Sequence, residues 1–168
     1  MKHRFLLDEN ILHHGIKGVD RHDNPDLTAT TVLLLIAANC HTIVINRELL
    51  SRYWTHLQEL FREPAPYLQP VFFVREFLQN SDKRVLEYDD PPELPTGVTI
   101  PAEDIHIVRA ALVSRPVIVT ADEELMEGVN TQEVLGLKAL NPKETVQLAS
   151  EKCTQESEHS ATGSTTPR

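Results

Sequence analysis

Four acids sit at matching places in this chain. Asp8 ends the apolar run RFLL, Glu48 falls in the first turn after HTIVIN, and Asp122 comes just after PVIVT. Asp104 lies in the first turn of the helical segment that feeds PVIVT. In a parallel sheet the C-terminal ends of the strands share one edge, so Asp8, Glu48 and Asp122 can approach one another there. Asp104 precedes its strand, and only the fold can bring it in. Crowded carboxylates repel unless a cation lies between them or one keeps a proton. Oxygen donors without neighbouring Cys or His suit hard ions, Mg²⁺ or Mn²⁺. An ion so held orients a water, lowers its pKa and neutralises charge building on a phosphodiester. No covalent nucleophile is then required. The chain contains no GxSxG, no phosphate-binding P-loop, no dinucleotide glycine fingerprint and no HExxH. Each aspartate also has an ordinary role as a helix cap or solvated turn, and Glu123 and Glu124 fit that role better than a site.

The elements that must carry these acids can be read from periodicity and turn chemistry. RFLLD is a first strand, followed by the turn-rich KGVDRHDNPD. Asn24, Pro25 and Asp26 have the pattern of N-cap, first helical position and acidic first turn, which opens a helix through VLLLIAAN. HTIVIN, residues 41–46, is a second buried strand. Leu49, Leu50, Tyr53, Trp54, Leu57, Leu60 and Phe61 recur every three or four residues, an amphipathic helix stopped by Pro64 and Pro66, with Trp54 expected in the core. VFFVREFL, 71–78, is expected to be helical, and a loop holding YDDPPELPTG follows. Pro101 starts a helix that turns Ile105, Val108, Ala111 and Leu112 inward. PVIVT is a strand, DEELMEGV a short helix and LKAL a weak strand. Asn141, Pro142 and Glu144 form a capping box with proline first, opening a last helix. Strands alternating with helices imply an α/β fold: a three-layer α/β/α sandwich around a central parallel sheet of four to five strands. One domain over 1–149 is expected, and the polar stretch 150–168 is expected to be a disordered tail.

Composition narrows the function classes. At 168 residues, 40% hydrophobic and 24% charged, the chain suits one soluble domain, and no apolar run approaches the roughly 20 residues that cross a bilayer. The N-terminus lacks the pattern of an export signal, so a cytoplasmic location without membrane attachment is expected. Cys40 and Cys153 show no zinc-type spacing, which points to neither a disulfide framework nor a metal knuckle, with Cys40 a core thiol. His13 and His14 are expected in a solvated loop. A net charge of −9 argues against a broad basic surface for nucleic acid, although bound divalent metal or a basic partner could offset it. Lys17, Arg21 and Arg47 are available for phosphate, but scattered surface cations are commoner.

FLLDEN with Asp8 and Asn10, AEDIHIVRAAL with Asp104, VTADEEL with Asp122 and the closing LKALNPKETVQL occur in an order that resembles the PIN domain family over roughly residues 3–149. That family comprises metal-dependent ribonucleases, among them the toxins of many bacterial and archaeal toxin–antitoxin pairs. The resemblance implies a PIN-like domain that hydrolyses single-stranded RNA with Mg²⁺ or Mn²⁺. It implies Asp8, Asp104 and Asp122 as metal ligands and catalytic groups, Glu48 as a fourth acid, and Asn10 and Thr120 as supporting polar residues. RNA is the implied substrate, with an antitoxin or other protein as partner and a homodimer as an assembly. The chain departs from the pattern at one place. In the subgroup sharing its strand-then-ELL segment, the catalytic glutamate would fall on Arg52, one helical turn beyond Glu48. Glu48 either substitutes for it or pairs with Arg52 across the turn. The second case implies a catalytically degenerate scaffold that binds RNA or a protein. A phosphoacceptor of the response-regulator type fits less well, because no lysine ends a last core strand.

Overall fold

The computed structural model describes residues 1–153. Five strands, β1 (Arg4–Leu7), β2 (Thr42–Asn46), β3 (Arg84–Glu87), β4 (Val117–Val119) and β5 (Lys138–Leu140), form one sheet in the order β3-β2-β1-β4-β5, with every pairing parallel. Helices flank it, as the alternating pattern requires. The chain lays down β1, β2 and β3 in one direction and then crosses back to place β4 on the other side of β1. The order therefore reverses between β1 and β4, the position where an open parallel sheet leaves a crevice outside its strand ends. Phe5, Leu6, Leu7, Ile43, Val44 and Ile45 are buried, which is why these strands read as continuous apolar runs.

Helix α1 (Glu9–Lys17) starts directly after β1, and α2 (Thr28–Ala38) packs on it. A Cβ at Gly15 would meet Leu33 Cδ1 at 2.6 Å and the Ala29 carbonyl at 3.3 Å, so a larger residue there would force Leu33 to shift. Thr30 Oγ1 donates to the Gly15 carbonyl at 2.6 Å and locks the crossing. α3 (Arg47–Leu60) is capped by Asn46, whose side chain accepts from the Leu49 N–H, and it buries Leu49, Tyr53, Leu57 and Leu60. A helical turn, α4 (Pro70–Phe73), runs into a wider π-helical turn over Val74–Leu78. α5 (Ile105–Ser114), α6 (Glu123–Thr131) and α7 (Pro142–Ala149) complete the set, and α7 carries the expected Asn141–Glu144 capping box.

Several expectations are corrected. The segment after β1 is a helix, and His13 and His14 lie on it rather than in a loop. β3 lies where only loop was expected, because it is a short, half-exposed edge strand without an apolar run. The second helix begins at Thr28, not at Pro25. Pro25 is bridged to Val19, and the Asp26 carboxylate accepts the Thr28 N–H at 2.7 Å. Trp54 is 41% exposed and lies outside the core. Cys40 is not a buried thiol: it is joined to Cys153 in a disulfide, with Cα atoms 6.1 Å apart. Residues 150–153 of the expected tail are among the described residues. Glu151 lies 2.7 Å from His3, and Cys153 is fixed on Cys40. The rest of the expected tail, 154–168, lies outside the described residues. No helix among the described residues is long and apolar enough to cross a membrane.

Candidate functional site

Acids gather at the β1–β4 reversal, with Asp122 at an open hollow and Asp8 and Asp104 buried. Asp8 follows β1, is nearly fully buried, and donates its backbone N–H to the Val119 carbonyl at 2.9 Å. Its Oδ2 accepts from Thr120 Oγ1 at 2.7 Å, and Thr120 is fully buried just past β4. The same hydroxyl oxygen accepts the Asp122 N–H at 3.0 Å. Asp122 caps α6, its Oδ1 accepting from Glu124 N at 2.9 Å and Leu125 N at 3.1 Å. Glu123 and Glu124 occupy the exposed first turn, as expected of cap residues.

Asp104 ends the short 3-10 turn Ala102–Asp104 and occupies the position before α5. It is only 7% exposed, and its buried Oδ2 has no hydrogen-bond partner. A buried carboxylate oxygen without a donor costs free energy unless the group keeps a proton or a ligand supplies the missing partner. Burial comes first among the causes that push Asp104 up to about 6, followed by the charges of Asp122 and Glu103. The fold thus brings this acid beside the strand ends although it precedes its own strand.

The sequence pattern passed over Glu9, which is as buried as Asp104. Its Oε1 lies 2.8 Å from His106 Nε2, with both side chains under 10% exposed, and 3.5 Å from Arg52 Nη1. Burial pushes Glu9 up, but the hydrogen bonds from His106 and Asp8 outweigh it and hold the carboxyl well below the usual range. Asp8 moves the other way. Burial raises it, hydrogen bonding to Glu9 and the charges of Glu9 and Asp104 add to the rise, and the Thr120 hydroxyl opposes it. Of the adjacent pair, Glu9 is the one whose hydrogen bonds favour the charged form, and Asp8 is the one that burial drives toward the protonated form. One signal was available: Glu9, Leu12 and Ile16 share the buried face of α1, so an acid on that face stands out once the helix is recognised.

Glu48 does not join this group. It is 49% exposed on α3 and pairs with Arg52 at 3.1 Å, the ordinary i,i+4 ion pair. Asn10 is exposed on α1 and shares a shallow hollow of about 310 Å³ with His14, Arg21, Ala121 and Asp122. A neighbouring groove of about 290 Å³ runs past Thr120 to Lys143. Arg21 pairs with Glu123 at 3.2 Å, and Lys17 lies 3.9 Å from both Asp23 and Glu63, while Arg47 is exposed at the start of α3.

The donor chemistry fits a hard divalent ion. Asp8, Asp104 and Asp122 offer only oxygen, each influences a neighbour's ionisation or shares Thr120 with it, and the Asp104 oxygen lacks a donor. Their ligand atoms are not gathered as tightly as a closed cage. Among the described residues, the group whose ligand atoms all lie within 4.8 Å of one another is Cys40, His41 and Cys153, elsewhere in the fold.

No family model matches this chain, and no curated protein sequence matches it. A PilT N-terminus domain protein from the hyperthermophilic archaeon Sulfolobus solfataricus P2 is similar in structure over 90% of this chain and 97% of its own, at 10% identity and a TM-score of 0.47.

Proposed function

We propose that the acids at the β1–β4 crevice hold a divalent Mg²⁺ or Mn²⁺ ion and that the protein is an endoribonuclease hydrolysing phosphodiester bonds of single-stranded RNA. The observation that carries this is the buried Asp104 Oδ2 without a donor, in a carboxylate group where burial first, and the neighbouring acids' charges second, push Asp8 and Asp104 toward the protonated form. Such a group is stabilised by a cation. Asp8, Asp104 and Asp122 would be the ligands, with Thr120 orienting Asp8 and Asp122 together. Bound there, a divalent ion supplies a water of lowered pKa and neutralises charge on the phosphodiester. The hollow around Asn10 and Arg21 lies open beside Asp122 and suits the backbone of a single strand. A toxin role controlled by an antitoxin, and a homodimeric assembly, are further parts of this proposal that rest on the resemblance of FLLDEN, AEDIHIV and VTADEEL.

Cleavage of a single-stranded RNA with Mn²⁺ and with chelator tests the proposal. Activity is expected only with metal and is expected to fall at least about 100-fold in folded Asp122→Asn. Full activity of that variant, or cleavage in chelator, would overturn it.

Arg52 favours a second reading. Its guanidinium lies 3.5 Å from buried Glu9 and supplies a built-in cation at the rim of the acids. A degenerate scaffold that binds RNA or a protein without cutting would need no metal. Calorimetric titration with Mn²⁺ separates the two, since only the nuclease predicts a site that Asp8→Asn abolishes.

A further inference from the structure

Cys40, His41 and Cys153 meet at the opposite end of the sheet from the acids. Cys40 lies between α2 and β2, His41 stands just before β2, and Cys153 follows α7. Their ligand atoms all lie within 4.8 Å of one another. In the structure the two sulfurs are joined, and the Cα separation of 6.1 Å is ordinary for a disulfide.

His41 is oriented by two bonds. Its Nδ1 accepts the His3 backbone N–H at 3.1 Å, so that nitrogen carries a lone pair and not a proton. Nε2 therefore carries the hydrogen and donates to the Ala149 carbonyl at 3.1 Å. A ring whose far N–H is fixed on a backbone carbonyl is the arrangement that supports a metal-bound imidazole, here through Nδ1 once the His3 N–H gives way. Two thiolates and an imidazole select a borderline-soft cation and reject Mg²⁺ and Mn²⁺, so this group is chemically distinct from the acid crevice.

We propose that, with both thiols reduced, Cys40, Cys153 and His41 Nδ1 bind one Zn²⁺-class cation, and that oxidation of the two thiolates to the observed disulfide expels it. Loading Nδ1 displaces the His3 N–H, and solvent completes the coordination. The exchange balances with a low-molecular-weight disulfide as oxidant. Two zinc-bound thiolates and R–S–S–R, with two protons, give the Cys40–Cys153 bond, two R–SH and free Zn²⁺. The two electrons leave the cysteines and reduce the oxidant. Either state ties Cys153 to Cys40, beside the place where Asn39 Nδ2 donates to the Ala149 carbonyl at 2.8 Å and Glu151 meets His3.

The test uses the full chain, reduced without oxygen and shown to contain two titratable thiols. Co²⁺ is the probe, read by its thiolate charge-transfer absorption, a signal the acid crevice cannot produce. One equivalent is expected, bleached by Zn²⁺, absent from oxidised protein, and weakened by more than about 100-fold in folded Cys153→Ser. Adding a low-molecular-weight disulfide to the zinc-loaded protein is expected to release one Zn²⁺ per chain. X-ray absorption at the zinc edge is expected to show two sulfurs with nitrogen. The proposal is overturned if reduced protein gives no charge-transfer band, if Cys153→Ser keeps it, if oxidation fails to release the ion, or if the zinc shell lacks nitrogen.

Discussion

Thr120 Oγ1 donates to Asp8 Oδ2 across 2.7 Å, and its oxygen accepts the Asp122 N–H at 3.0 Å. One fully buried hydroxyl therefore sets the positions of the aspartates that follow β1 and β4. Thr120→Val keeps the shape and deletes the donor, leaving a buried carboxylate oxygen without a partner. A loss of about 1–3 kcal/mol in unfolding free energy is expected at pH 8. The loss should shrink at pH 5, where Asp8, raised by burial, holds a proton. Urea denaturation at the two pH values checks this, and an equal loss at both contradicts it.

The raised acids give the metal-free protein a defined pH dependence. Asp104 is pushed up to about 6 when folded, against its ordinary 3.8 when unfolded, because burial and then the charges of Asp122 and Glu103 disfavour its charged form. Between those values the folded state binds more protons than the unfolded state, so stability falls as pH rises through the window. Asp8 acts in the same direction. Glu9 is lowered and acts oppositely: its contribution is present above its unfolded value of 4.5 and is lost as pH falls below it. The urea midpoint is therefore expected to be higher at pH 5 than at pH 8 without metal, and Asp104→Asn is expected to flatten that difference. Saturating Mn²⁺ should restore stability at pH 8 by mass action on the folded state. No effect of Mn²⁺ on the midpoint would speak against an ion at these acids.

Glu48 and Glu9 are both within reach of Arg52 yet should behave differently. Glu48→Ala breaks an exposed pair and is expected to cost under about 1 kcal/mol, with Mn²⁺ binding unchanged. Glu9→Gln removes the carboxylate that faces His106 and Arg52 from a buried position. It is expected to cost about 3 kcal/mol by leaving His106 facing a neutral amide. Equal effects of the two substitutions would place Glu9 among the exposed ion pairs.

Which features could be read in advance follows from the physics of each element. RFLL, HTIVIN and PVIVT were recoverable because strands buried on both faces are apolar throughout, and the capping box at Asn141 because its bonds are local. Asp8 and Asp122 followed from their strands. β3 was not recoverable, because its pairing with β2 is the only thing that makes RVLE a strand. α1 was hidden by two histidines and a glycine, and with it went Glu9, whose partner His106 is 97 residues away. The Cys40–Cys153 contact has a separation of 113, and no spacing rule reaches that far. Local chemistry was readable, whereas chemistry created by tertiary contact was not.

Asp122 carries two roles that substitution can separate. As the cap of α6 it accepts two N–H groups, and as an acid it contributes charge to the crevice. Asparagine caps a helix about as well as aspartate, but it brings no charge. Asp122→Asn is therefore expected to unfold within about 0.5 kcal/mol of the parent protein, whereas Asp122→Ala loses about 0.5–2 kcal/mol through the missing cap. Both should lower the pKa of Asp104, since the Asp122 charge is among the causes that raise it. Both should lose Mn²⁺ binding to a similar extent. Stability by urea titration and affinity by calorimetry then give two orderings: alanine alone is deficient in the first, and alanine and asparagine are alike in the second. If asparagine keeps the affinity of aspartate, Asp122 is a helix cap and nothing more.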